Sequence, residues 1–269
     1  LAQSAEPGQA LVLPLDVTHQ EQLDSAYRSI LEAWGGLDLM LFVSGVYTPL
    51  RADNFEFEIA QKTIDANLLG PMRAVSIVMP DMLKAHAGHI AIVGSVAGYS
   101  GLPKALAYGP SKAGIINFCE TLYYDLLPQG VSVHMISPGF VATEATAQND
   151  FEMPALITAD EAAQEIIAGL QAGEFDIHFP KRFSGFLKFL RILPYPLYFW
   201  IIRRFVKIYD PGLLVLILAD FLLQVIHYSN RFCLGSSNGW GCNVATLHHN
   251  CWHTINGISI SHLSCGTSF

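Results

Sequence analysis

Three polar residues near the middle of the 269-residue chain have the types and spacing of an acid–base site. Ser95 follows a short run, His89–Val93, which predicts a buried strand because it is brief, β-branched and bounded by glycines. Tyr108 and Lys112 begin an apolar-periodic segment, and a helix there would place both side chains on one face. A nearby ammonium favours the phenolate and lowers a tyrosine pKa from its usual value of about 10. The pattern therefore predicts that Tyr108 moves a proton on an oxygen that Ser95 holds, unless the Tyr–Lys pair is a coincidental surface pair.

Apolar periodicity and turn residues around this trio predict alternating strands and helices. Because two strands joined by a helix run parallel through a right-handed crossover, this order predicts an α/β fold with a parallel sheet. The predicted elements are a strand at 10–16, a helix from the capping box of Thr18 and Glu21 to Gly35, a strand at 37–43, an interrupted helix at 54–85, the strand before Ser95, the helix from Tyr108, a strand at 131–139, a helix capped by Thr158 and Glu161, and a strand at 176–179.

The arrangement of Ser95, Tyr108 and Lys112 across a strand, a loop and a helix resembles the short-chain dehydrogenase/reductase family. The resemblance implies a Rossmann-type doubly wound parallel sheet. It also implies that Tyr108 is the general acid/base and that Ser95 binds the substrate oxygen. Lys112 would bind the nicotinamide ribose and lower the pKa of Tyr108. Asn67 matches the family's helix asparagine, which holds a water that links Lys112 to solvent.

The same resemblance implies NAD or NADP as the cofactor and assigns contacts to it. The segment at Ser44 and Gly45 corresponds to the family's Asn-Asn-Ala-Gly signature, but Phe42 and Val43 stand where the two asparagines belong. Main-chain contacts to the cofactor survive that change in principle, whereas the asparagines' role in the sheet does not carry over. The implied cofactor-binding residues are Asp16 and Val17 at the adenine, Ser44 and Gly45, Tyr108 and Lys112 at the ribose, and Pro138, Gly139, Val141 and Thr143 at the nicotinamide.

The family's opening strand, glycine-rich turn and helix, which receive the cofactor pyrophosphate, have no counterpart before Asp16. The expectation is therefore that Leu1 is an internal residue of a truncated gene. Gly94, Gly98 and Gly101 do not replace that turn, because they lack the G-x-G-x-x-G pattern and surround Ser95 instead.

Charge and cysteine usage restrict the partners. The net charge of −8 argues against nucleic acid. Of five cysteines only Cys119 precedes residue 230, which gives no disulfide framework and fits a reducing, cytoplasmic compartment. The remaining cysteines match no common metal-ligand spacing with His248, His249 and His253, so no metal site is predicted.

Composition changes twice along the chain and suggests three regions. Residues 1–180 form the oxidoreductase domain. Residues 181–207 hold seven of the fifteen Lys and Arg, no acid and many aromatics, which fits a substrate lid, a dimer contact or a membrane-surface segment with peripheral attachment. Residues 208–269 nearly lack charge and resemble an out-of-frame or disordered tail, although their apolar run at 213–226 would also suit part of a membrane hairpin.

Together these features predict hydride transfer between a nicotinamide cofactor and a ketone or secondary alcohol, with an apolar substrate and a homo-oligomeric enzyme as further expectations. Two alternatives stay open. One is a catalytically incomplete fragment that binds no dinucleotide. The other is a membrane-surface interaction protein.

Overall fold

The structure is a computed structural model that describes residues 10–147 and 153–206. Its strands are β1 (Leu39–Phe42), β2 (His89–Val93), β3 (Ser132–Pro138) and β4 (Asp176–Phe179). Its helices are α1 (Gln20–Trp34), α2 (Phe57–Ile64), α3 (Gly70–Ala85), α4 (Tyr108–Leu126), α5 (Glu144–Ala147), α6 (Ala159–Gln171), α7 (Lys181–Arg191) and α8 (Tyr195–Val206).

The four strands form one parallel sheet in the order β1-β2-β3-β4. Two hydrophobic clusters cover its two faces. On one face Ile90 and Ile92 pack with α3 and α4, and on the other Ile136 and Ile177 pack with α6. Helices on both faces of a parallel sheet confirm the predicted doubly wound, Rossmann-type α/β fold.

The parallel arrangement brings the carboxyl ends of all four strands to one edge of the sheet. β2 lies in the interior, and its residues 90–92 are fully buried. β1 lies at the border of the described sheet, where Leu39 and Leu41 are 37% and 40% exposed. The sheet therefore presents a continuous edge of strand ends after β1, β2 and β3.

The predicted strand at 10–16 is wrong, because these residues form no strand in the structure. A strand exists only through its ladder of hydrogen bonds to a neighbour, and no described strand pairs with this segment. The predicted capping box is wrong as well. The Thr18 hydroxyl donates to Asp16 Oδ1 (2.8 Å), and α1 begins at Gln20 without a side-chain cap. Gly35 does end α1, in the left-handed conformation that a glycine adopts without strain.

The interrupted helix at 54–85 is confirmed. A π-helical turn, Asp65–Leu69, separates α2 from α3 and carries Asn67 at its centre. Such single-turn widenings of a helix are frequent at functional sites. The reciprocal capping box of Thr158 and Glu161 at the start of α6 is also confirmed.

Residues 181–206 form the helices α7 and α8, whereas the anomalous tail at 208–269 lies outside the described residues. Within the described part of the chain, the helices are too short or too polar to cross a membrane. Leu190, Tyr198 and Ile202 form the buried contact between α7 and α8, and Leu102 from the loop after β2 packs against it.

Candidate active site

The predicted site residues gather at the edge formed by the strand ends. Ser44 and Gly45 follow β1, Ser95 follows β2, and Pro138 ends β3. Tyr108 is the first residue of α4, so the first turns of this helix lie at the same edge. In doubly wound folds ligands bind in the crevice outside this edge.

Ser95 is held in place by its own turn. Its backbone is extended, and its Oγ accepts a hydrogen bond from the Ala97 N–H (3.1 Å), which caps a short 3₁₀ turn, Val96–Gly98. Gly98 packs so tightly against α4 that a Cβ there would lie 2.6 Å from the carbonyl carbon of Lys112. The Ser95 turn and the start of α4 are therefore in direct backbone contact.

The side chains of Tyr108 and Lys112 lie together on that helix. The Lys112 ammonium lies 5.7 Å from the centre of the Tyr108 ring and donates a hydrogen bond to the Val93 carbonyl (2.9 Å). The Ser95 side chain lies near enough to the phenol to lower its pKa. The structure thus brings the serine, the phenol and the ammonium into one cluster.

Burial dominates the protonation of this cluster. It raises the pKa of Tyr108 above its usual value, although the nearby Ser95 side chain lowers it, while Tyr47 raises it further. Burial also lowers the pKa of Lys112 to about 8. The expected lowering of the Tyr108 pKa by Lys112 is not observed here, because the loss of hydration outweighs the effects of the neighbouring groups.

Asn67 connects the segment after β1 to the catalytic helix. Its Oδ1 accepts from the Val46 N–H (2.7 Å), and its Nδ2 donates to the Val46 carbonyl (2.8 Å) and to Ser111 Oγ (3.3 Å). Ser111 in turn donates to the Tyr108 carbonyl (2.7 Å). Asn67 is 1% exposed, so its amide fastens two parts of the site from within the fold.

Sequence reasoning missed two residues of this cluster. The Tyr47 ring packs edge-on against Tyr108, with 5.1 Å between the ring centres. Ser111, which is fully buried, joins Asn67 to the catalytic helix. Ser111 directly precedes Lys112 and Tyr47 follows the Ser44-Gly45 turn, but neither position carries a pattern of its own.

Gly45 lies close against the cluster, where a larger residue would have little room for its side chain. A Cβ at this position would lie 3.3 Å from Asn67 Oδ1 and 3.6 Å from Lys112 Nζ. An ammonium has three N–H donors, and the hydrogen bond to Val93 uses one of them. A glycine beside a buried amide and an ammonium with further donors fits the close approach of ribose hydroxyls.

The remaining predicted cofactor residues lie along the same side but do not contact Tyr108. Val17 packs against Gly70, at the junction of the π turn with α3. The Asp16 carboxylate accepts hydrogen bonds from the Thr18 N–H (2.9 Å) and from the Thr18 hydroxyl. These bonds lower the pKa of the carboxylate. The described residues contain no glycine-rich turn of the kind that takes a cofactor pyrophosphate.

The segment after β3 has its own contacts. The Gly139 N–H donates to the Phe179 carbonyl (2.7 Å), and Val141 forms an isolated bridge with Ile157. The Thr143 N–H donates to Thr146 Oγ1 (3.0 Å). These contacts shape the segment into a turn at the end of β3, next to the strand that carries Ser95.

Known proteins resemble this chain in both sequence and fold. The model of the short chain dehydrogenase family matches residues 1–153. An uncharacterized oxidoreductase of Myxococcus xanthus is 35% identical over 190 residues, which cover 71% of this chain and 75% of that protein. A 3-oxoacyl-[acyl-carrier-protein] reductase of Synechocystis is 31% identical over 142 residues, 53% of this chain, so the chain spans little more than half (58%) of that relative.

The fold likeness extends to solved structures. A short-chain dehydrogenase from Streptomyces avermitilis superposes with a TM-score of 0.59 over 68% of this chain and 74% of that one, at 19% sequence identity. At 19% sequence identity the superposition shows only that the two folds are similar. The family model matches more than half of the sequence, and the Myxococcus relative is 35% identical over 71% of this chain. On these grounds the chain belongs to the short-chain dehydrogenase family of oxidoreductases.

Proposed function

We propose that the chain is an NAD(P)-dependent oxidoreductase that transfers a hydride between a nicotinamide cofactor and a ketone or secondary alcohol. The observation that carries the proposal is the cluster of Ser95, Tyr108 and Lys112 at the carboxyl edge of the sheet, with the serine beside the phenol and the ammonium beside its ring. A phenol, a hydroxyl and a buried ammonium in contact can bind a carbonyl oxygen and give it a proton.

The cofactor supplies or accepts the hydride when it is bound. Lys112 and the backbone of Gly45 would hold its ribose, and Tyr108 would lie beside them. By the family resemblance, Asp16 and Val17 would meet the adenine, and the turn from Pro138 to Thr143 would meet the nicotinamide. These assignments are part of the proposal.

Tyr108 suits the reductive direction. Because burial raises its pKa, the phenol keeps its proton at neutral pH and has it available for donation. As the carbonyl carbon gains a hydride, negative charge develops on the oxygen, and Tyr108 Oη transfers its proton to that oxygen. The product is the alcohol, and the phenolate regains a proton from solvent before the next turnover.

Ser95 and Lys112 act on the same oxygen and the same phenol. Ser95 Oγ accepts from Ala97, and its single hydrogen, which faces the phenol, would turn to the substrate oxygen when a substrate is bound. With a pKa of about 8, Lys112 is mostly protonated at pH 7, and its charge stabilises the phenolate left after proton transfer. The two residues therefore orient the substrate and lower the cost of the charge that the reaction creates.

The test is Tyr108→Phe, with Tyr124→Phe as the matched control, because Tyr124 lies on the same helix and is 75% exposed. Loss of the general acid should lower turnover by about 10²–10⁴-fold, while binding of NADH or NADPH, followed by fluorescence, is retained. Tyr124→Phe should leave both unchanged. A Tyr108→Phe enzyme with an unaltered rate would contradict the proposed role.

A second candidate is a family member that keeps the fold but binds no dinucleotide. It is favoured by one observation, the lack of a pyrophosphate-binding turn among the described residues. Titration of the chain with NADH and with NADPH separates the two candidates. Saturable binding supports the enzyme and shows which cofactor it prefers, whereas the lack of binding by either supports the second candidate.

A further inference from the structure

The helices α7 and α8 carry an unusual concentration of positive charge. Residues 181–206 contain six of the fifteen Lys and Arg of the chain and no Asp or Glu, although the whole chain has a net charge of −8. Two of these cations pair with carboxylates outside the segment, Lys181 with Glu174 and Lys188 with Asp176. Arg182, Arg203 and Arg204 are exposed.

The inner side of this helix pair is anchored to the rest of the fold. Leu190 and Tyr198 are 2% and 4% exposed, and they pack with Leu102 in the loop between Ser95 and Tyr108. The Tyr198 hydroxyl donates a hydrogen bond to the Gly101 carbonyl (2.7 Å) in that loop. The pair is therefore a fixed part of the domain, and its outer side has a defined direction.

Among the described residues the outer side is apolar and exposed. We call it the aromatic face, and it consists of Phe189, Ile192, Tyr195, Phe199 and Trp200. Each of these side chains is between 43% and 76% exposed. Tyr195 stacks on Phe199 with 5.6 Å between ring centres, so part of the face is preorganised. Exposed apolar side chains in such a contiguous set mark an interaction surface.

The positive charge of the segment indicates which kind of partner binds the aromatic face. A second copy docked through the same face would bring the exposed Arg182, Arg203 and Arg204 against like arginines, with no carboxylate in the segment to offset them. An anionic surface instead attracts all of them. Aromatic side chains flanked by arginines are the composition of helices that lie in the headgroup region of a bilayer.

We propose that the aromatic face of α7 and α8 binds the surface of an anionic membrane. The aromatic side chains enter the headgroup region, and Arg182, Arg203 and Arg204 pair with lipid phosphates. The helices lie parallel to the membrane plane, because neither is long enough to cross it.

The test is co-sedimentation of the full chain with vesicles of phosphatidylcholine alone or with added phosphatidylglycerol. The expected result is binding to the anionic vesicles only, weakened by salt. Each cation near the surface contributes about fivefold to partitioning, so the triple variant Arg182→Gln, Arg203→Gln and Arg204→Gln should bind roughly 100-fold more weakly.

The matched control changes three exposed cations elsewhere, with the variants Arg28→Gln, Lys62→Gln and Lys84→Gln on α1, α2 and α3. It alters the net charge by the same amount and should keep the binding of the parent chain. A second test variant, Phe189→Ser with Trp200→Ser, should weaken binding without changing the charge. Far-UV circular dichroism of all variants should match that of the parent, because the replaced side chains are exposed.

Four outcomes would overturn the proposal. The first two are no binding of the parent chain to anionic vesicles and equal binding to neutral ones. The third is a loss of binding in the control variant equal to that in the arginine variant. The fourth is undiminished binding of the arginine variant, which would place the membrane contact elsewhere in the chain. The other candidate partner of the aromatic face is a second copy of the chain, and sedimentation velocity without lipid tests for it. A concentration-dependent dimer that the Phe189→Ser and Trp200→Ser changes abolish, together with no vesicle binding, would assign the face to a second copy.

Discussion

Replacing Lys112 by methionine should stabilise the protein at pH 7. The side chain is 4% exposed, and burial lowers its pKa from 10.5 to about 8. The unfolded chain therefore binds the proton more tightly than the folded one. By linkage, holding the charge in the folded state costs about 3 kcal/mol at pH 7 and about 2 kcal/mol at pH 9. The cost disappears as the pH rises from 8 through 10.5, the window between the two values.

Methionine has a similar length and no charge, so Lys112→Met removes this cost. It also removes the hydrogen bond to the Val93 carbonyl, which offsets the gain by about 1 kcal/mol at either pH, since a neutral amine donates as well. The free energy of unfolding should thus rise by about 2 kcal/mol at pH 7 and by about 1 kcal/mol at pH 9. The enzyme should lose activity at both values, as expected where a site is functional at the expense of stability.

Urea unfolding followed by circular dichroism measures the increase in the free energy of unfolding at pH 7 and at pH 9. The control is Lys62→Met, which replaces an exposed lysine on α2 and should leave the pH dependence of stability unchanged. A stability difference between Lys112→Met and the parent that is equal at the two pH values would refute the reasoning. So would a difference that is larger at pH 9.

Two further substitutions test the geometry of the site. Gly98→Ala forces a Cβ to within 2.6 Å of the Lys112 backbone and should separate the Ser95 turn from α4, whereas Gly101→Ala meets nothing within 4 Å. Since a displacement of about 1 Å costs roughly 10²-fold in rate, assays of the two variants should differ by about that factor, and equal rates would contradict the close contact. Asn67→Ala leaves the Val46 N–H and carbonyl without their partner, so urea unfolding should show a loss of about 2–4 kcal/mol, and a loss under 1 kcal/mol would contradict the bridging role.

Much of the local structure was predictable from sequence, because it depends on neighbouring residues. The strand His89–Val93 and the helix that starts at Tyr108 have the predicted positions, and Asn67 lies in the predicted interruption of its helix. The capping box at Thr158 is present because both partners lie within one turn. The order of these elements was enough to predict the parallel sheet.

Most of the failures concern partners that are distant in sequence, and one concerns a competing partner two residues away. Residues 10–16 have the composition of a strand, but composition provides no neighbour for its hydrogen bonds. Thr18 has the spacing of a cap, but its hydroxyl bonds to Asp16 instead. Tyr47 and Ser111 join the site only through contacts with Tyr108 and Asn67, which no local pattern encodes.

The sequence by itself determined that Tyr108 and Lys112 lie together, since a phenol and an ammonium four residues apart share a helix face wherever that helix lies. Only the tertiary structure decided their protonation. Burial depends on every segment packed around a side chain, and here it raises the pKa of Tyr108 and lowers that of Lys112. Tertiary packing likewise decided which side of α7 and α8 is buried against Leu102 and which side remains exposed with its aromatic residues.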